Sequence, residues 1–420
     1  MLDRKSAPQH AEIRDFQLPT PEIIPLSNGA QLVLFGDVKQ EILKLEVVFK
    51  AGKWFEPRPG VSHFTAQMLE RGTSSRSSYQ IAEAFDQFGC SIEINAGFDF
   101  TSLSLYTLSR NISRVLPLFC ELISTPSFPE LELTLMKNVF RQNLKINNKK
   151  NSYLAGKAIR KNIFSSLHPY GNSIEELDVD NLTREDLVLF FNTHFSLHQI
   201  YITGSLPGSA RQAILHDLGH LKAGYPAMDK IEFPTNRKSF SQIIEMPDSV
   251  QSSLRLGKRT INRAHADYPT FVLLNHILGG YFGSRLMKNI REEKGLTYGI
   301  HSSINALKND ALFIISTDVN KENQKLAISE IKAEIIKLQE NLVGLNELEI
   351  TKNHLLGSIQ LETANPFSIA EKIKTIRLNQ LKPDFYSTLY NNIMSSNSEM
   401  IQHVAKSYLD VESLFEASVG

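Results

Sequence analysis

The sequence predicts an α+β protein made of two homologous halves, in which strands precede or alternate with long helices. A chain of 420 residues exceeds what one hydrophobic core usually supports, so two domains are expected. Residues 131–138 resemble residues 346–353 at an offset of 215, and residues 182–187 resemble residues 396–401 at an offset of 214. Two matches at nearly one offset indicate a duplicated domain with helices packed on one face of a sheet.

The least regular part of the chain lies between the two halves. Residues 222–238 contain one glycine, two prolines and mixed charges, with little hydrophobic periodicity. We therefore expect an N-terminal domain over residues 1–221, a linker over 222–238 and a C-terminal domain over 239–420.

Composition excludes several classes of function. Lys plus Arg and Asp plus Glu both number 45, so no charge excess favours nucleic acid or an anionic membrane. No apolar run approaches 18 residues, and the N-terminus lacks the apolar core of a signal peptide. Cys90 and Cys120 lie in apolar surroundings, as expected of buried thiols in a reducing compartment. These features predict a cytoplasmic protein, whereas removal of a leader would place it in the periplasm.

The most informative stretch is residues 278–300, LGGYFGSRLMKNIREEKGLTYGI. Its three glycines at 279, 280 and 283 permit close backbone approach. The pattern predicts a short helix over 284–294, a C-cap at Gly295 and a strand over 296–304. Arg291, in the last helical turn, and Tyr298, on that strand, can then converge at one corner.

This stretch resembles the insulinase and mitochondrial-processing-peptidase type of zinc peptidase. In that family the pattern L-G-G, S-R-L, L-R-E-K-x-G-L-x-Y provides an arginine and a tyrosine that bind substrate, and Arg291 and Tyr298 fall on those positions. Without the resemblance, Arg291 would be interpreted as a solvated cation at a helix end and Tyr298 as an ordinary strand residue. The resemblance further implies that the two halves form a clam-shell arrangement.

A second stretch, GVSHFTAQMLERGT at residues 60–73, resembles the family's zinc-binding helix. We expect a helix from Val61 to about Arg71 whose apolar stripe is opposite His63, Gln67 and Glu70. The family pattern G-x-x-H-F-x-E-H-M-x-x-x-G-T implies two histidine ligands of zinc and a glutamate that activates water.

Two of these zinc-site positions are changed here. Ala66 replaces the glutamate and cannot accept a proton from water, and Gln67 replaces the second histidine with a poor zinc ligand. The family's third ligand is a glutamate some 75 to 80 residues further along, by the resemblance, but no acidic residue occurs between Glu132 and Glu175. His63 is thus the one zinc-site residue retained, and we expect no metal or other cofactor on this chain.

The span without acidic residues also contains eight basic residues, at 137, 141, 145, 149, 150, 157, 160 and 161. A surface that binds single-stranded nucleic acid would need aromatic side chains interleaved throughout, whereas Phe140 and Tyr153 are the two aromatic residues among these eight cations. The spacing of about four instead indicates a solvated helix face. Another candidate metal pair, His216 and His220, has helical spacing but lacks a third ligand, so a solvated face is favoured there too.

Three functional hypotheses follow. The first is the substrate-binding, non-catalytic subunit of a heterodimeric zinc metalloendopeptidase, in which Arg291 and Tyr298 hold a peptide against zinc on a homologous partner. An isolated chain could then form a homodimer. The second is a purely structural subunit, similar to the peptidase-like core proteins of a respiratory complex. The third is a peptidase with unrecognised metal ligands.

Overall fold

The computed structural model describes residues 16–35, 41–224, 232–236 and 238–420. The strands of the first half are β1 Glu22–Pro25, β2 Gln31–Phe35, β3 Ile42–Phe49, β4 Ser91–Ala96, β5 Thr101–Leu108 and β6 Leu197–Thr203. Its helices are α1 Val61–Gln67, α2 Ser78–Asp86, α3 Ile112–Ser124, α4 Glu130–Asn147, α5 Asn151–Phe164, α6 Glu176–Asn181, α7 Arg184–His194 and α8 Gly208–Gly219.

The strands of the second half are β7 Ser241–Ile244, β8 Gln251–Arg259, β9 Ile300–Ala306, β10 Ala311–Asn320 and β11 Phe415–Val419. Its α-helices are α9 Tyr268–Asn275, α10 Gln324–Glu340, α11 Leu345–Leu361, α12 Pro366–Leu378, α13 Phe385–Ser395 and α14 Ser398–Tyr408. Two π-helical stretches, His276–Gly280 and Met287–Glu293, follow α9. Among the described residues, none of the helices is long and apolar enough to span a membrane.

Each half contains its own mixed sheet, with strand order β1-β2-β6-β3-β5-β4 in the first and β7-β11-β8-β10-β9 in the second. The repeated segments 131–138 and 346–353 lie on α4 and α11, and the other pair lies where α7 and α14 begin. The α+β class and the two homologous sheet-plus-helix domains are confirmed. The predicted linker 222–238 lies partly outside the described residues, at 225–231 and 237, and its boundaries remain predictions.

The prediction that helices cover only one face of each sheet is wrong. On β3, Leu43 and its alternating neighbours face the core of the first domain, but Glu46 and Val48 on the opposite face are buried as well. The covering element is α12, which belongs to the second half and contributes Ala370 and Ile373 to this layer. Alternation of apolar and charged residues on β3 could not reveal a helix more than 300 residues away.

The first half makes the reciprocal contribution. Helix α5 packs on β8 and β11 of the second sheet, and its Ile159 and Ile163 share a buried cluster with Leu312 of β10 and Phe415 of β11. Helix α12 begins 215 residues after α5, so the exchanged helices occupy corresponding places in the duplicated sequence. One face of each sheet is therefore covered by a helix that belongs to the other half.

A buried carboxylate joins the two halves where the β4–β5 turn meets the β9–β10 turn. Asp99 accepts hydrogen bonds from the hydroxyl of Tyr170, the backbone N–H of Lys308 (3.1 Å) and the side-chain amide of Asn309 (3.2 Å). Asp99 and Tyr170 are both buried, and burial raises the pKa of the Asp99 carboxyl. Because Asp99 and two of its three donors belong to different halves, separating the domains would remove both of those hydrogen bonds and leave Tyr170 as the remaining donor.

We predict unequal contributions from the two carboxylates that bind the same lysine pair between β3 and α12. Lys44 and Lys374 each contact both Glu46 and Glu371 at 2.6–2.9 Å, but the Glu46 side chain is 4% exposed and that of Glu371 is 49% exposed. Glu46→Ala leaves two half-buried ammonium groups short of charge compensation and should lower the free energy of unfolding by about 3 kcal/mol. Glu371→Ala should cost about 1 kcal/mol or less. Equal shifts in urea denaturation would contradict this assignment.

Candidate functional site

The helix predicted from Val61 to Arg71 is present as α1 followed by a 3-10 turn over Met68–Glu70. Val61, Phe64 and Met68 are fully buried, whereas His63, Gln67 and Glu70 are partly exposed on one common face, as predicted. Ala66 is also fully buried within the core of the first domain. A larger acidic side chain at position 66 would therefore have to enter a packed core.

His63 lies among aromatic rings. Its imidazole is 5.3 Å from the ring of Phe140 on α4 and 5.6 Å from that of Phe64. Burial lowers the pKa of His63, which keeps the imidazole neutral at pH 7. Helix α4 is the segment where the family's third ligand is expected, and it presents an apolar ring to His63.

Several basic residues of the span 133–174, which lacks acidic residues, bind groups in or next to α6. The ammonium group of Lys137 donates to the carbonyl of Leu182 at 2.7 Å, and Arg141 binds the Asp180 carboxylate. Lys157 is 2.7 Å from Glu175, just before α6. The charges of Arg141 and Lys157 are thus neutralised within the protein, and Lys137 is hydrogen-bonded. These contacts argue against a nucleic-acid-binding surface on this face.

In the part of the chain that the structure describes, no three His, Cys, Asp or Glu side chains come together as metal ligands would. His216, on α8, and His220, just after its end, are both exposed with ring centres 4.3 Å apart, as the solvated-face interpretation predicts. The face of α1 that carries His63 and Gln67 thus offers one imidazole with an aromatic neighbour, and position 66 lacks the glutamate of the family pattern.

The N-terminus of α1 is capped by a buried carboxylate that the sequence did not indicate. One oxygen of Glu56 accepts hydrogen bonds from the backbone N–H groups of Gly60 (3.1 Å) and Ser62 (3.2 Å) and from the Ser62 hydroxyl (2.9 Å). The other oxygen is buried without a partner among the described residues. Burial raises the pKa of Glu56 to about 7, although Lys53 and these hydrogen bonds act in the opposite direction.

In the second domain, the helix predicted over 284–294 begins at Arg285 and is π-helical from Met287 to Glu293. Gly295 adopts φ +64°, and the N–H of Leu296 reaches back to the carbonyl of Ile290 at 2.9 Å, so the predicted C-cap is present. Arg285 forms a bidentate ion pair with Glu347 of α11, both contacts being 2.8 Å. The wide helix and its cap thus fix the backbone around Arg291.

The guanidinium carbon of Arg291 lies 4.7 Å from the centre of the Phe282 ring, a cation–π contact. The preceding residue, Tyr281, stacks on the His276 ring and lies against the tilted ring of His354, with 4.7 Å between ring centres in each pair. The two imidazoles are joined by a 2.9 Å hydrogen bond, and burial together with His354 lowers the pKa of His276 to about 4. Tyr281 therefore fixes the loop from which Phe282 reaches Arg291. In the sequence, Tyr281 and Phe282 between Gly280 and Gly283 are the feature that could have indicated this arrangement.

The prediction that Tyr298 lies on a strand is wrong, because β9 begins at Ile300. Tyr298 instead lies in a bend held by the Thr297 hydroxyl, which donates to the carbonyls of Gly299 (3.0 Å) and Asp318 (2.7 Å). Its side chain is 93% exposed. The structure places Arg291 and Tyr298 on neighbouring segments, and the contact it records for Arg291 is with Phe282.

Sequence and fold comparisons agree on the class of protein. Residues 33–176 match the model described as "Insulinase (Peptidase family M16)", and residues 181–355 match "Peptidase M16 inactive domain". The crystal structure of a peptidase M16 inactive domain from Pseudomonas fluorescens is 26% identical, with a TM-score of 0.86 over 96% of this chain and 98% of that chain.

Two bacterial relatives extend the comparison. The Bacillus subtilis protein named "Uncharacterized zinc protease YmxG" is 24% identical and covers 90% of this chain and 93% of its own length. The Helicobacter pylori protein named "Non-peptidase homolog YmxG" is 23% identical over 86% of this chain and 84% of its own length. The chain belongs to the insulinase family, peptidase family M16, and within it is an inactive, peptidase-like member.

We predict that the purified chain binds no stoichiometric zinc and cleaves no peptides. His63 alone cannot retain the ion, and neither Ala66 nor Gln67 can activate water. Elemental analysis after dialysis should give far less than one zinc per chain. About one zinc per chain, lost in His63→Ala, would contradict the prediction.

A second prediction concerns pH and the cap of α1. The raised pKa of Glu56 means that the folded state binds its proton more tightly, so this contribution to stability is present below about pH 4.5 and is lost as pH rises through 7. Glu56→Gln keeps an acceptor for Gly60 and Ser62 without the charge. The variant should gain up to about 3 kcal/mol relative to wild type between pH 4.5 and 7.5.

The measurement is urea denaturation of both proteins across this pH range. The upper limit stays below the pKa of Lys53, which burial lowers to about 8. Parallel stability profiles for the two proteins would show that Glu56 keeps an ordinary pKa in the folded state.

Proposed function

We propose that this chain is the non-catalytic, substrate-binding subunit of a heterodimeric zinc metalloendopeptidase. The observation that supports this is an asymmetry between the halves. In the first domain, the ring of Phe140 packs against His63, and Ala66 stands where the family pattern has its water-activating glutamate. In the second domain, Arg291 contacts the Phe282 ring, the Thr297 hydroxyl holds the bend at Tyr298, and Tyr298 is 93% exposed.

The two side chains have complementary chemistry toward a peptide. The guanidinium of Arg291 presents a rigid fork of donors that suits a substrate carbonyl or carboxylate. The phenol of Tyr298 can donate a hydrogen bond to the oxyanion that develops as water attacks the scissile carbonyl. The cation–π contact with Phe282 limits the rotamers of Arg291 and so reduces the entropy lost when substrate binds.

In this proposal the partner is a zinc-bearing homologue with an intact H-x-x-E-H helix, and the present chain has no cofactor of its own. Zinc on the partner would polarise the carbonyl and activate the attacking water. Arg291 and Tyr298 would orient the peptide from the other side of the interface. The isolated chain would form a weaker homodimer through the same surface.

Names of relatives support the non-catalytic part of the proposal. They include the "Non-peptidase homolog" of Helicobacter pylori and a "Probable inactive metalloprotease" of Bacillus subtilis. We also infer a cytoplasmic location, which the unpaired thiols of Cys90 and Cys120 favour.

We predict that the Arg291–Tyr298 corner controls turnover without controlling assembly. Tyr298→Phe removes one hydroxyl, so the heterodimer should still form while its rate falls roughly 10²–10³-fold. Arg291→Ala should also raise KM, because it removes a positioning contact. The measurement is peptide cleavage by the heterodimer, reconstituted with the zinc-bearing homologue that co-purifies with the affinity-tagged chain.

Matched variants distinguish a role at the site from a general effect. Tyr79→Phe changes another exposed tyrosine, on α2, and Lys288→Ala removes another exposed cation near Arg291, so both should leave turnover unchanged. Unchanged turnover in an intact complex that carries both Arg291→Ala and Tyr298→Phe would support a purely structural subunit. Failure of the chain to bind any zinc-bearing homologue would refute the proposal.

A further inference from the structure

The two sheets differ at one edge. Strands β2-β6-β3-β5-β4 of the first sheet correspond in order and direction to β7-β11-β8-β10-β9 of the second, including the parallel pairs β2–β6 and β7–β11. The first sheet continues with β1, which pairs antiparallel with β2 over four residues. The second sheet ends at β7 within the described residues, so the place that corresponds to β1 is open.

The chain before β7 follows a different path from the chain before β2. The carbonyl of Pro234 accepts a hydrogen bond from the Ser165 hydroxyl at 2.8 Å, and the amide of Asn236 donates to the carbonyl of Asn162 at 2.7 Å. Phe233 packs on Trp54 of the first domain at 5.0 Å. Residues 232–236 therefore contact α5 and its surroundings instead of returning along β7.

Strand β7 lacks the usual protection of an exposed edge. Its sequence, Ser-Gln-Ile-Ile, contains no charge and no proline, and Ile243 is 67% exposed. The open edge of the first sheet, β1, carries Glu22 and Pro25, which discourage pairing with another strand. An unprotected edge with an exposed isoleucine is suited to accept a further strand.

A groove of about 340 Å³ lies beside this edge, between β7, β11 and α10. Ile243, Leu256 and Ile328 provide apolar walls. The charged residues of its lining are Lys325, Lys332 and Glu416, and Lys332 is 2.6 Å from Glu416, which leaves one positive charge in excess. In the first domain the corresponding side is covered by α8, which packs on α3 and binds the β1–β2 turn through Asn28.

We propose that β7 and this groove form a docking site for an extended segment of a partner protein, which adds to the second sheet as β1 adds to the first. Alternate aliphatic side chains of the segment would enter the groove, and an acidic side chain would face Lys325. The ladder along β7 is only about 13 Å long. A ladder of this length is too short to bury the roughly 1,200 Å² of surface that a stable dimer of folded copies needs. A flexible segment is therefore the favoured occupant.

The test uses a fluorescein-labelled peptide of alternating sequence, Ac-Thr-Val-Glu-Ile-Thr-Val-NH2, titrated with the full chain and followed by fluorescence anisotropy. We expect saturable binding with a dissociation constant below about 1 mM. Methylation of the peptide nitrogens that face β7 removes ladder donors and should weaken binding at least about tenfold. Amide exchange of β7 should slow when the unmodified peptide is bound.

Two matched variants locate the site on the protein. Ile243→Lys places a charge at the open edge and should weaken binding at least about tenfold, whereas Ile23→Lys changes an exposed isoleucine on β1 and should have no effect. Both positions are exposed, so the fold should persist, which circular dichroism checks. The proposal is overturned by absence of saturable binding, by insensitivity to methylation or by full binding to Ile243→Lys. A dimer that dissociates in Ile243→Lys, seen by sedimentation, would identify a second copy as the occupant and overturn the partner segment.

Discussion

The reciprocal exchange of α5 and α12 is the constraint on which the rest of the structure depends. Each helix covers the sheet of the opposite half, so neither sheet has both faces buried by its own half. The buried Asp99 network and the lysine–glutamate cluster around Glu46 lie at this same junction. The relative position of the two halves is therefore fixed by core packing and by buried charge.

Local sequence patterns predicted much of the fold. They could not predict features that depend on contacts between distant elements. The apolar stripe of α1, the repeat at an offset of 215 and the cap at Gly295 follow from local spacing, and the structure contains all three. The second buried face of β3 depends on a helix of the other half, which no local pattern reveals. The late start of β9 depends on Thr297, whose hydroxyl holds the chain in a bend through the distant Asp318 carbonyl.

The sequence predicted which zinc-site residues are missing better than it predicted which residues surround Arg291. The absence of a glutamate at position 66 and of a histidine at position 67 can be read directly from the sequence, and the structure adds that position 66 is enclosed by the core. The residues that support the loop before Arg291 were harder to predict, because His276 and Tyr281 come from one segment and His354 from the distant α11. At the offset of 215, His354 corresponds to the exposed Val139 of α4. The duplicated helices thus acquired different side chains on one equivalent face.

The exchange of helices also affects the order in which the protein can be built. A ribosome completes β6 at Thr203 and must add more than 150 further residues before α12 is synthesised. At typical elongation rates this interval lasts on the order of ten seconds or more. During that time the face of the first sheet that includes Val33, Val48 and Tyr201 has no covering helix. The nascent first half thus exposes an apolar surface to chaperones until the second half supplies its cover.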